Sequence, residues 1–190
     1  MTSVTRDKIL QIFKDSGALL DGHFILRSGL RSRQFFQCAL ALQDMPSVER
    51  LGATLADKLR GYAPVTVLAP AMGGLVIGQE VARQLGVRFI FVEKEEGDLV
   101  LRRGFKISPG EKLVIVEDVV TKGGRVAETI AIAREHQAEV CAIGVIVDRS
   151  NGTVDFGTPM ESLLPMVVET FSTENLPLDL EGKPAIKPGS

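Results

Sequence analysis

The sequence predicts an α/β fold in which a mostly parallel sheet is covered by helices on both faces. After residue 64, short apolar segments alternate with amphipathic ones. The apolar segments are near-continuous runs, which are typical of strands buried on both sides. Helices between such strands allow consecutive strands to run in the same direction. A chain of 190 residues that is 45% hydrophobic is long and apolar enough to build one such core.

The N-terminal elements come before this alternation. A helix is predicted over residues 5–16, because Thr5 can cap its start and Gly17 can end it. Two short extended pieces around a turn at Gly29 are predicted next. A second helix is predicted over residues 46–60, where apolar residues recur on one stripe.

The remaining elements alternate along the chain. Strands are predicted at 65–70, 88–93, 112–120, 140–148 and 166–171, and helices at 74–86 and 124–137. A long polar connection follows the second of these strands, and we expect it to be mobile. The Pro-rich tail, residues 181–190, is expected to be extended.

Composition and charge exclude several classes of protein. The net charge of −2 and the pI near 5.8 give no reason to expect nucleic-acid binding. Cys38 and Cys141 lack metal-ligand spacing and are expected to be buried free thiols in a reducing compartment. His23 and His136 have no second ligand nearby, so we interpret both as structural. No apolar run approaches the roughly 20 residues that span a bilayer, and no signal peptide is recognised, so a cytoplasmic location is expected.

Residues 114–125, VIVEDVVTKGGR, place acids, a hydroxyl and glycines in one turn. At the end of a strand, the carboxylates of Glu117 and Asp118 can accept hydrogen bonds from the vicinal hydroxyls of a ribose. The amides of residues 121–124 open the next helix, where N–H groups and the helix dipole attract a phosphate. Glycines let an anion approach the main chain closely. The turn therefore fits a ribose 5-phosphate, and a solvated strand end with helix-capping acids is the alternative.

This stretch resembles the phosphoribosyl pyrophosphate (PRPP) signature of type I phosphoribosyltransferases: an apolar run, two acids, two apolar residues and a Thr/Gly-rich turn. The resemblance implies a type I phosphoribosyltransferase-like parallel sheet flanked by helices, with a small N-terminal hood. It makes Glu117 and Asp118 catalytic residues that hold the ribose hydroxyls. It implies that the 5-phosphate is bound by Thr121, Lys122, Gly123, Gly124 and Arg125. Lys122 and Arg125 stand where small or hydroxyl residues are common in the family.

Two further motifs match the same family. The loop PAMGG, residues 70–74, corresponds to the place where these enzymes hold pyrophosphate, through Ala71, Met72, Gly73 and Gly74. Lys94 corresponds to a lysine that contacts PRPP oxygens. Taken alone, the loop also fits a plain strand-to-helix turn, and Lys94 also fits a solvated charge.

Within the superfamily the chain is most similar to the orotate phosphoribosyltransferases, nearly from end to end. In GHFILRSGLRSRQFF, residues 22–36, Arg27 takes the position of a basic residue, and Phe35 and Phe36 would flank the pyrimidine. DRSNG, residues 148–152, resembles the Asp-Arg pair that places Arg149 near the orotate carboxylate. The match also places Thr121 near orotate. The ending GKPAIKPGS resembles the tail of one branch of the family. That branch often has a Cys-Pro-Leu-Cys just upstream, and this chain has LPLD at 176–179 in its place.

The chain departs from the family in the polar connection. Many relatives have a loop with Lys and His that closes over the neighbouring subunit's site, whereas residues 95–105 contain neither. Arg102 and Arg103 are the cations there, followed by Lys106. The resemblance implies that a cation of this loop neutralises the departing pyrophosphate. Exposed arginines on a plain pair of strands are the alternative.

The resemblance also sets the expected organisation and partners. It implies one domain over residues 1–190, with residues 1–45 and the tail forming the hood on the orotate side. It implies a homodimer and PRPP and orotate as substrates, with no nucleic-acid or membrane partner. Mg²⁺ would be held mainly by PRPP and water rather than by protein ligands. The alternatives are a purine or uracil transferase, or a non-catalytic PRPP-sensing regulator.

Overall fold

The computed structural model describes residues 4–26 and 29–187. The helices are α1 (Arg6–Asp15), α2 (Cys38–Ala41), α3 (Met45–Leu59), α4 (Gly73–Leu85) and α5 (Gly124–Glu135). The strands are β1 (Leu19–Ile25), β2 (Arg31–Phe36), β3 (Thr66–Pro70), β4 (Arg88–Glu95), β5 (Asp98–Leu101), β6 (Lys112–Val120), β7 (Glu139–Asp148), β8 (Met160–Pro165) and β9 (Thr170–Phe171). Arg27, expected to contact orotate, lies outside the described residues.

A six-stranded sheet forms the centre of the molecule, in the order β5-β4-β3-β6-β7-β8. All neighbouring pairs are parallel except β4 with β5, which run antiparallel. The chain moves outward from β3 to β4 and then returns to the other side of β3 to form β6. The loops after β3 and β6 therefore lie side by side at a topological switch point, where ligands of open α/β sheets bind. This confirms the predicted fold class.

A second sheet, which we call the small sheet, consists of β1, β2 and β9 in that order, all antiparallel. The end of the chain contacts both of its sides. β9 pairs with the free edge of β2, and Ile186 forms a bridge with Phe24 on the free edge of β1. Arg33 on β2 donates bidentately to Asp179 at 2.7 and 2.8 Å and also pairs with Glu169. The tail thus holds the β1–β2 hairpin from both edges.

One apolar core joins the two sheets. It includes Phe13 of α1 and Phe36 of the small sheet together with Val116 and Ile146 of the central sheet. α3 buries Leu51, Leu55, Leu59 and their apolar neighbours on one stripe, as its periodicity predicts. Among the described residues, no helix is long and apolar enough to cross a membrane.

One prediction about the elements is wrong. The segment 166–171 is not a strand of the parallel sheet, since only Thr170–Phe171 is a strand and it belongs to the small sheet. The last parallel strand is β8, which pairs with β7 at the edge of the sheet. It was not predicted because an edge strand can carry polar residues, here Glu161 and Ser162, and so lacks the continuous apolar run of a buried strand. The polar connection after β4 contains one further strand, as in the alternative of a plain strand pair. It turns at Glu96 and Gly97, both with positive φ, and returns as β5.

Candidate active site

The acid pair lies at the carboxyl end of β6, where the sequence motif predicts it. Glu117 is 3% exposed, and its Oε1 accepts a hydrogen bond from the backbone N–H of Asp118 at 3.0 Å. The Oδ1 of Asp118 accepts from the backbone N–H of Val119 at 2.7 Å. These local bonds fix both carboxylates at the strand end and leave further acceptor capacity for a ligand.

The two acids shift each other's protonation. Burial, and next the neighbouring Asp118 carboxylate, raises the pKa of Glu117 to about 9. Burial also raises the pKa of Asp118, against hydrogen bonds that favour its charged form. Two buried carboxylates in contact cannot both ionise without cost, because each loses hydration and repels the other. A ligand whose hydroxyl groups donate hydrogen bonds to the two carboxylates would reduce that repulsion.

The PAMGG loop faces the acid pair across the switch point. The N–H of Ala71 donates to the carbonyl of Val92 at 2.7 Å, and the Ala71–Met72 peptide bond is cis. A Cβ on Gly73 would lie 2.6 Å from Oδ1 of Asp118 and 2.9 Å from Oε1 of Glu117. Only glycine therefore lets the N-terminus of α4 approach the carboxylates this closely.

The turn between β6 and α5 has the geometry of an anion site. Gly123 has φ +75°, and a Cβ there would lie 2.6 Å from Val154 and 2.7 Å from the ring of Phe156. This glycine is required for two reasons, the left-handed backbone and the lack of space. α5 begins at Gly124, so its first N–H groups and its helix dipole point toward the turn.

Arg125 connects the two loops. Its Nη1 donates to the carbonyl of Ala71 at 3.0 Å, which ties the first turn of α5 to the PAMGG loop. Its positive charge also favours the ionised forms of both acids, although burial has the larger effect on each pKa. The arginine that departs from the family pattern thus bridges the two loops, although it is also exposed to solvent.

These loops surround a cavity of about 880 Å³. Most of the residues that the motifs predict line it: Ala71, Met72, Gly73, Lys94, Glu117, Asp118, Thr121, Lys122, Gly123, Gly124 and Arg125. Gly74 lies behind the wall, where a Cβ would be 2.6 Å from the carbonyl oxygen of Val116. The volume is in the range of small-molecule sites.

Arg149 follows β7 directly, and neither it nor Phe36 lines this cavity. Its guanidinium carbon is 5.6 Å from the centre of the Phe36 ring, and its buried Nε has no hydrogen-bond partner among the described residues. Burial lowers the pKa of this guanidinium. Such a group is costly unless an anion accepts from it.

The structure does not bring both predicted aromatic residues to Arg149. Phe36 packs under Arg149, whereas the ring of Phe35 lies 5.8 Å from that of Phe24. Successive residues of a strand point to opposite faces, so the two rings cannot share one face of a regular β2. Phe36 therefore provides the wall beside Arg149, and Phe35 packs within the small sheet.

Arg102 and Arg103 do not line the cavity. They follow β5 and form ion pairs with carboxylates of β4 in the same chain. Nε and Nη2 of Arg103 lie 2.8 and 2.9 Å from the two oxygens of Glu93, and Nη1 of Arg102 lies 2.7 Å from Glu95. Glu93 itself lines the cavity.

Several residues of the site were missed by sequence reasoning. Gln37, Glu93 and Glu128 line the cavity without belonging to any motif. Glu93 could have been found from the sequence, because the Glu96-Gly97 pair between two apolar segments predicts a hairpin. Such a hairpin brings Arg103 back to Glu93. Arg31 of β2 has buried Nε and Nη1 atoms without partners among the described residues, and the sequence gives no indication of that.

The side chains of the site fit a divalent cation that is coordinated mainly by a bound substrate and water rather than by the protein. Over residues 4–26 and 29–187, no group of three or more His, Cys, Asp or Glu side chains is arranged to hold a metal ion. The acid pair offers two carboxylates and lies at the cavity wall. Mg²⁺ usually keeps several waters and takes one or two carboxylates together with phosphate oxygens, which this donor set allows.

Comparison with known proteins defines the class. The model of the phosphoribosyl transferase domain family matches residues 39–163. The orotate phosphoribosyltransferase of Desulforamulus reducens is 47% identical over 187 residues, with 98% of each chain covered. That of Heliobacterium modesticaldum is 50% identical over 189 residues and covers 98% of this chain and 99% of its own.

Solved structures agree. The orotate phosphoribosyltransferase of Aeropyrum pernix superimposes with a TM-score of 0.68 at 25% identity, covering 83% of this chain and 93% of its own. That of Mycobacterium tuberculosis in complex with inorganic phosphate has a TM-score of 0.69 at 15% identity, with 84% and 95% covered, and shows the shared fold. The chain therefore belongs to the phosphoribosyltransferase family, and within it to the orotate phosphoribosyltransferases, which confirms the resemblance found in the sequence.

Proposed function

We propose that this protein transfers ribose 5-phosphate from PRPP to N1 of orotate, giving orotidine 5′-monophosphate and pyrophosphate in the synthesis of UMP. One observation carries the proposal. A buried acid pair, a glycine loop and a helix N-terminus surround a single cavity in a chain whose relatives at 47% and 50% identity are orotate phosphoribosyltransferases. The first group suits a ribose, and the other two suit phosphates.

The reaction requires charge to be stabilised at two places. The anomeric C–O bond breaks, its electron pair leaves with pyrophosphate, and N1 of orotate loses its proton to water and forms the new bond to carbon. Positive charge builds on the ribose while negative charge builds on the leaving group. Catalysis is then mostly positioning and electrostatic stabilisation, and no side chain has to act as a nucleophile.

The residues divide this work by position. Asp118 and Glu117 accept from the ribose hydroxyls, and the ionised carboxylate of the pair places negative charge near the developing cation. The amides of residues 121–124, with Lys122, bind the 5-phosphate. The glycine loop and Lys94 bind pyrophosphate, and Arg102 and Arg103 lie just beyond them on the same strand pair. Mg²⁺, when bound with PRPP, neutralises part of the pyrophosphate charge, and the acid pair would supply its protein contacts.

The nucleobase end provides the choice of substrate. Arg149 is half-buried and its buried Nε has no partner among the described residues, so the ring carboxylate of orotate would accept hydrogen bonds from this guanidinium. Phe36 supplies a flat wall beside it, and Arg27 is proposed to add a second cation. Uracil lacks the carboxylate and would leave the guanidinium unpaired, a penalty on the order of 1–3 kcal/mol.

Three parts of this proposal are tested apart from the chemistry. We propose a homodimer in solution, to be measured by light scattering. A cytoplasmic location would be tested by cell fractionation. A single domain over residues 1–190 is supported by the apolar core that joins both sheets, and it predicts one cooperative unfolding transition.

A nucleobase panel tests the function itself. Purified protein with PRPP and Mg²⁺ should consume orotate, while uracil, hypoxanthine and xanthine react far more slowly. Arg149→Ala should raise KM for orotate about tenfold or more, leave KM for PRPP nearly unchanged and narrow the preference over uracil. Equal use of hypoxanthine or uracil by folded wild-type protein would contradict the substrate. Binding of PRPP with no turnover of any base would favour the regulator instead.

A further inference from the structure

We infer that Glu93 is a positioning residue that holds the guanidinium of Arg103 beside the pyrophosphate end of the cavity. The inference rests on the proposed function and adds to it a carboxylate that no motif singles out. It also assigns the loop cation, because Arg103 donates to both oxygens of Glu93 at 2.8 and 2.9 Å, whereas Nε of Arg102 lies 3.7 Å from the same carboxylate and its Nη1 is closer to Glu95, at 2.7 Å.

Glu93 lies next to the loop proposed for pyrophosphate. It follows Val92, whose carbonyl accepts the N–H of Ala71 at 2.7 Å, so the end of β4 is fixed against the start of that loop. Its side chain is 19% exposed and lines the cavity, and Lys94 follows it on the same wall. Whatever Glu93 binds is therefore held within reach of the pyrophosphate end.

The contact with Arg103 has directional geometry. Nε and Nη2 donate to the two carboxylate oxygens at 2.8 and 2.9 Å, which is the parallel arrangement that a lysine cannot make. The backbone of Arg103 has φ +61° and that of Gly104 +71°, so the chain bends where the side chain returns to β4. The other N–H groups of the guanidinium stay available to a further acceptor.

The charges around the cavity explain why the pair matters. Its wall carries four acidic side chains, Glu93, Glu117, Asp118 and Glu128, of which Glu117 has a pKa raised to about 9, and three cations, Lys94, Lys122 and Arg125. PRPP is highly anionic, and an unpaired carboxylate at position 93 would repel its pyrophosphate. Arg103 lowers the pKa of Glu93, so the carboxylate stays ionised and neutralised. The pair therefore offers donors to pyrophosphate without a net negative charge.

Arg102 and Glu95 supply a matched comparison. They form a neighbouring ion pair at 2.7 Å on the same two strands, but Glu95 does not line the cavity. An exposed pair of this kind contributes little to stability. Glu95→Gln removes the same charge from the same strand and should leave the kinetics within about twofold of wild type.

A double-mutant cycle on Glu93 and Arg103 tests the inference. Arg103→Ala should raise KM for PRPP about tenfold, and Glu93→Gln should raise it by a similar or smaller factor. In the Arg103→Ala background, Glu93→Gln should have no further effect, because its role is to hold that arginine. KM for orotate should stay within about twofold in every variant, and thermal midpoints should be unchanged because the pair is at the surface. The affinity for inorganic pyrophosphate with Mg²⁺, measured by calorimetry, should follow the same pattern.

Three results would overturn the inference. Kinetics of Glu93→Gln equal to those of Glu95→Gln would mean that the pair has no role in binding. Recovery of Arg103→Ala by Glu93→Gln would mean that Arg103 only neutralises the carboxylate. Independent, multiplying losses would mean that the two residues act separately. The pyrophosphate measurements need no nucleobase, so they separate failure of this inference from failure of the assigned substrate.

Discussion

The acid pair and Arg149 place charges of opposite sign in two parts of the site, and the two parts differ in their surroundings. At the ribose end, Glu117 is buried and Asp118 is half-buried, both line the cavity, and burial raises the pKa of both. At the proposed nucleobase end, Arg149 is half-buried beside Phe36, its Nε has no hydrogen-bond partner among the described residues, and burial lowers its pKa. Burial raises the pKa of the Cys38 thiol, and the charge of Asp118 raises it further while that of Arg149 lowers it. The two parts therefore suit ligand groups of different character, and we expect two different substrates to bind them.

The largest effect should come from removing charge at the ribose end. Asp118→Asn replaces a hydroxyl acceptor by a group that both donates and accepts, and we expect kcat/KM for PRPP to fall about 10²-fold or more. The fold should be kept, because the backbone N–H of Val119 can still donate to the amide oxygen. Steady-state kinetics and circular dichroism measure the two properties. Near-normal kcat/KM for PRPP would contradict the assigned role of the pair.

A steric change at the same end should have the next largest effect. In Gly73→Ala the new Cβ would lie 2.6 Å from Oδ1 of Asp118, so either the acid or the N-terminus of α4 must move. We expect activity to fall about tenfold or more because catalytic geometry tolerates little displacement. Gly61→Ala is the control, since a Cβ there meets nothing within 4 Å. Equal activity of the two variants would mean that the close approach is unimportant.

Protonation of Glu117 gives a prediction about stability. Its pKa in the folded protein, about 9, is above its ordinary value of 4.5, so its contribution to stability is full at low pH and is lost as pH rises toward 9. Glu117→Gln cannot ionise, and its thermal midpoint should fall less between pH 6 and pH 9 than that of wild type. Glu128→Gln, an exposed change of the same charge, should follow wild type. Parallel pH profiles of Glu117→Gln and wild type would show that Glu117 is not protonated when folded.

The smallest effect is expected from the nucleobase end, where the tail holds the small sheet. Asp179→Asn removes a bidentate partner of Arg33 that is itself partly exposed. We expect KM for orotate to rise about two- to threefold with KM for PRPP unchanged, because exposed pairs contribute little and only the orotate side is displaced. Lys58→Ala, which breaks an exposed ion pair with Glu161 away from the cavity, should change neither constant. A larger rise for PRPP than for orotate would contradict the separation of the two ends.

The sequence predicts the ribose end better than the nucleobase end for a physical reason. Glu117, Asp118 and the turn up to Arg125 are contiguous, so one strand, one turn and one helix start determine their arrangement. The contact between Phe36 and Arg149 depends on how two distant segments pack, which no local pattern encodes. The same reason applies to β8, whose polar residues conceal an edge strand, and to Arg125, whose bridge to Ala71 requires both loops to be in place.

The pairing of the tail with both edges of the β1–β2 hairpin also affects how the protein folds. β1 and β2 are far in sequence from β9 and Ile186, yet their outer edges pair with them, and the ring Nδ1 of His23 donates to the carbonyl oxygen of Lys183, 160 residues away. Contacts of such separation form slowly, because loop closure must precede them. Until the tail pairs with it, the hairpin therefore has two unpaired strand edges, which are prone to aggregation. A chain that stops before residue 169 would keep every motif of the ribose end but leave both edges permanently unpaired.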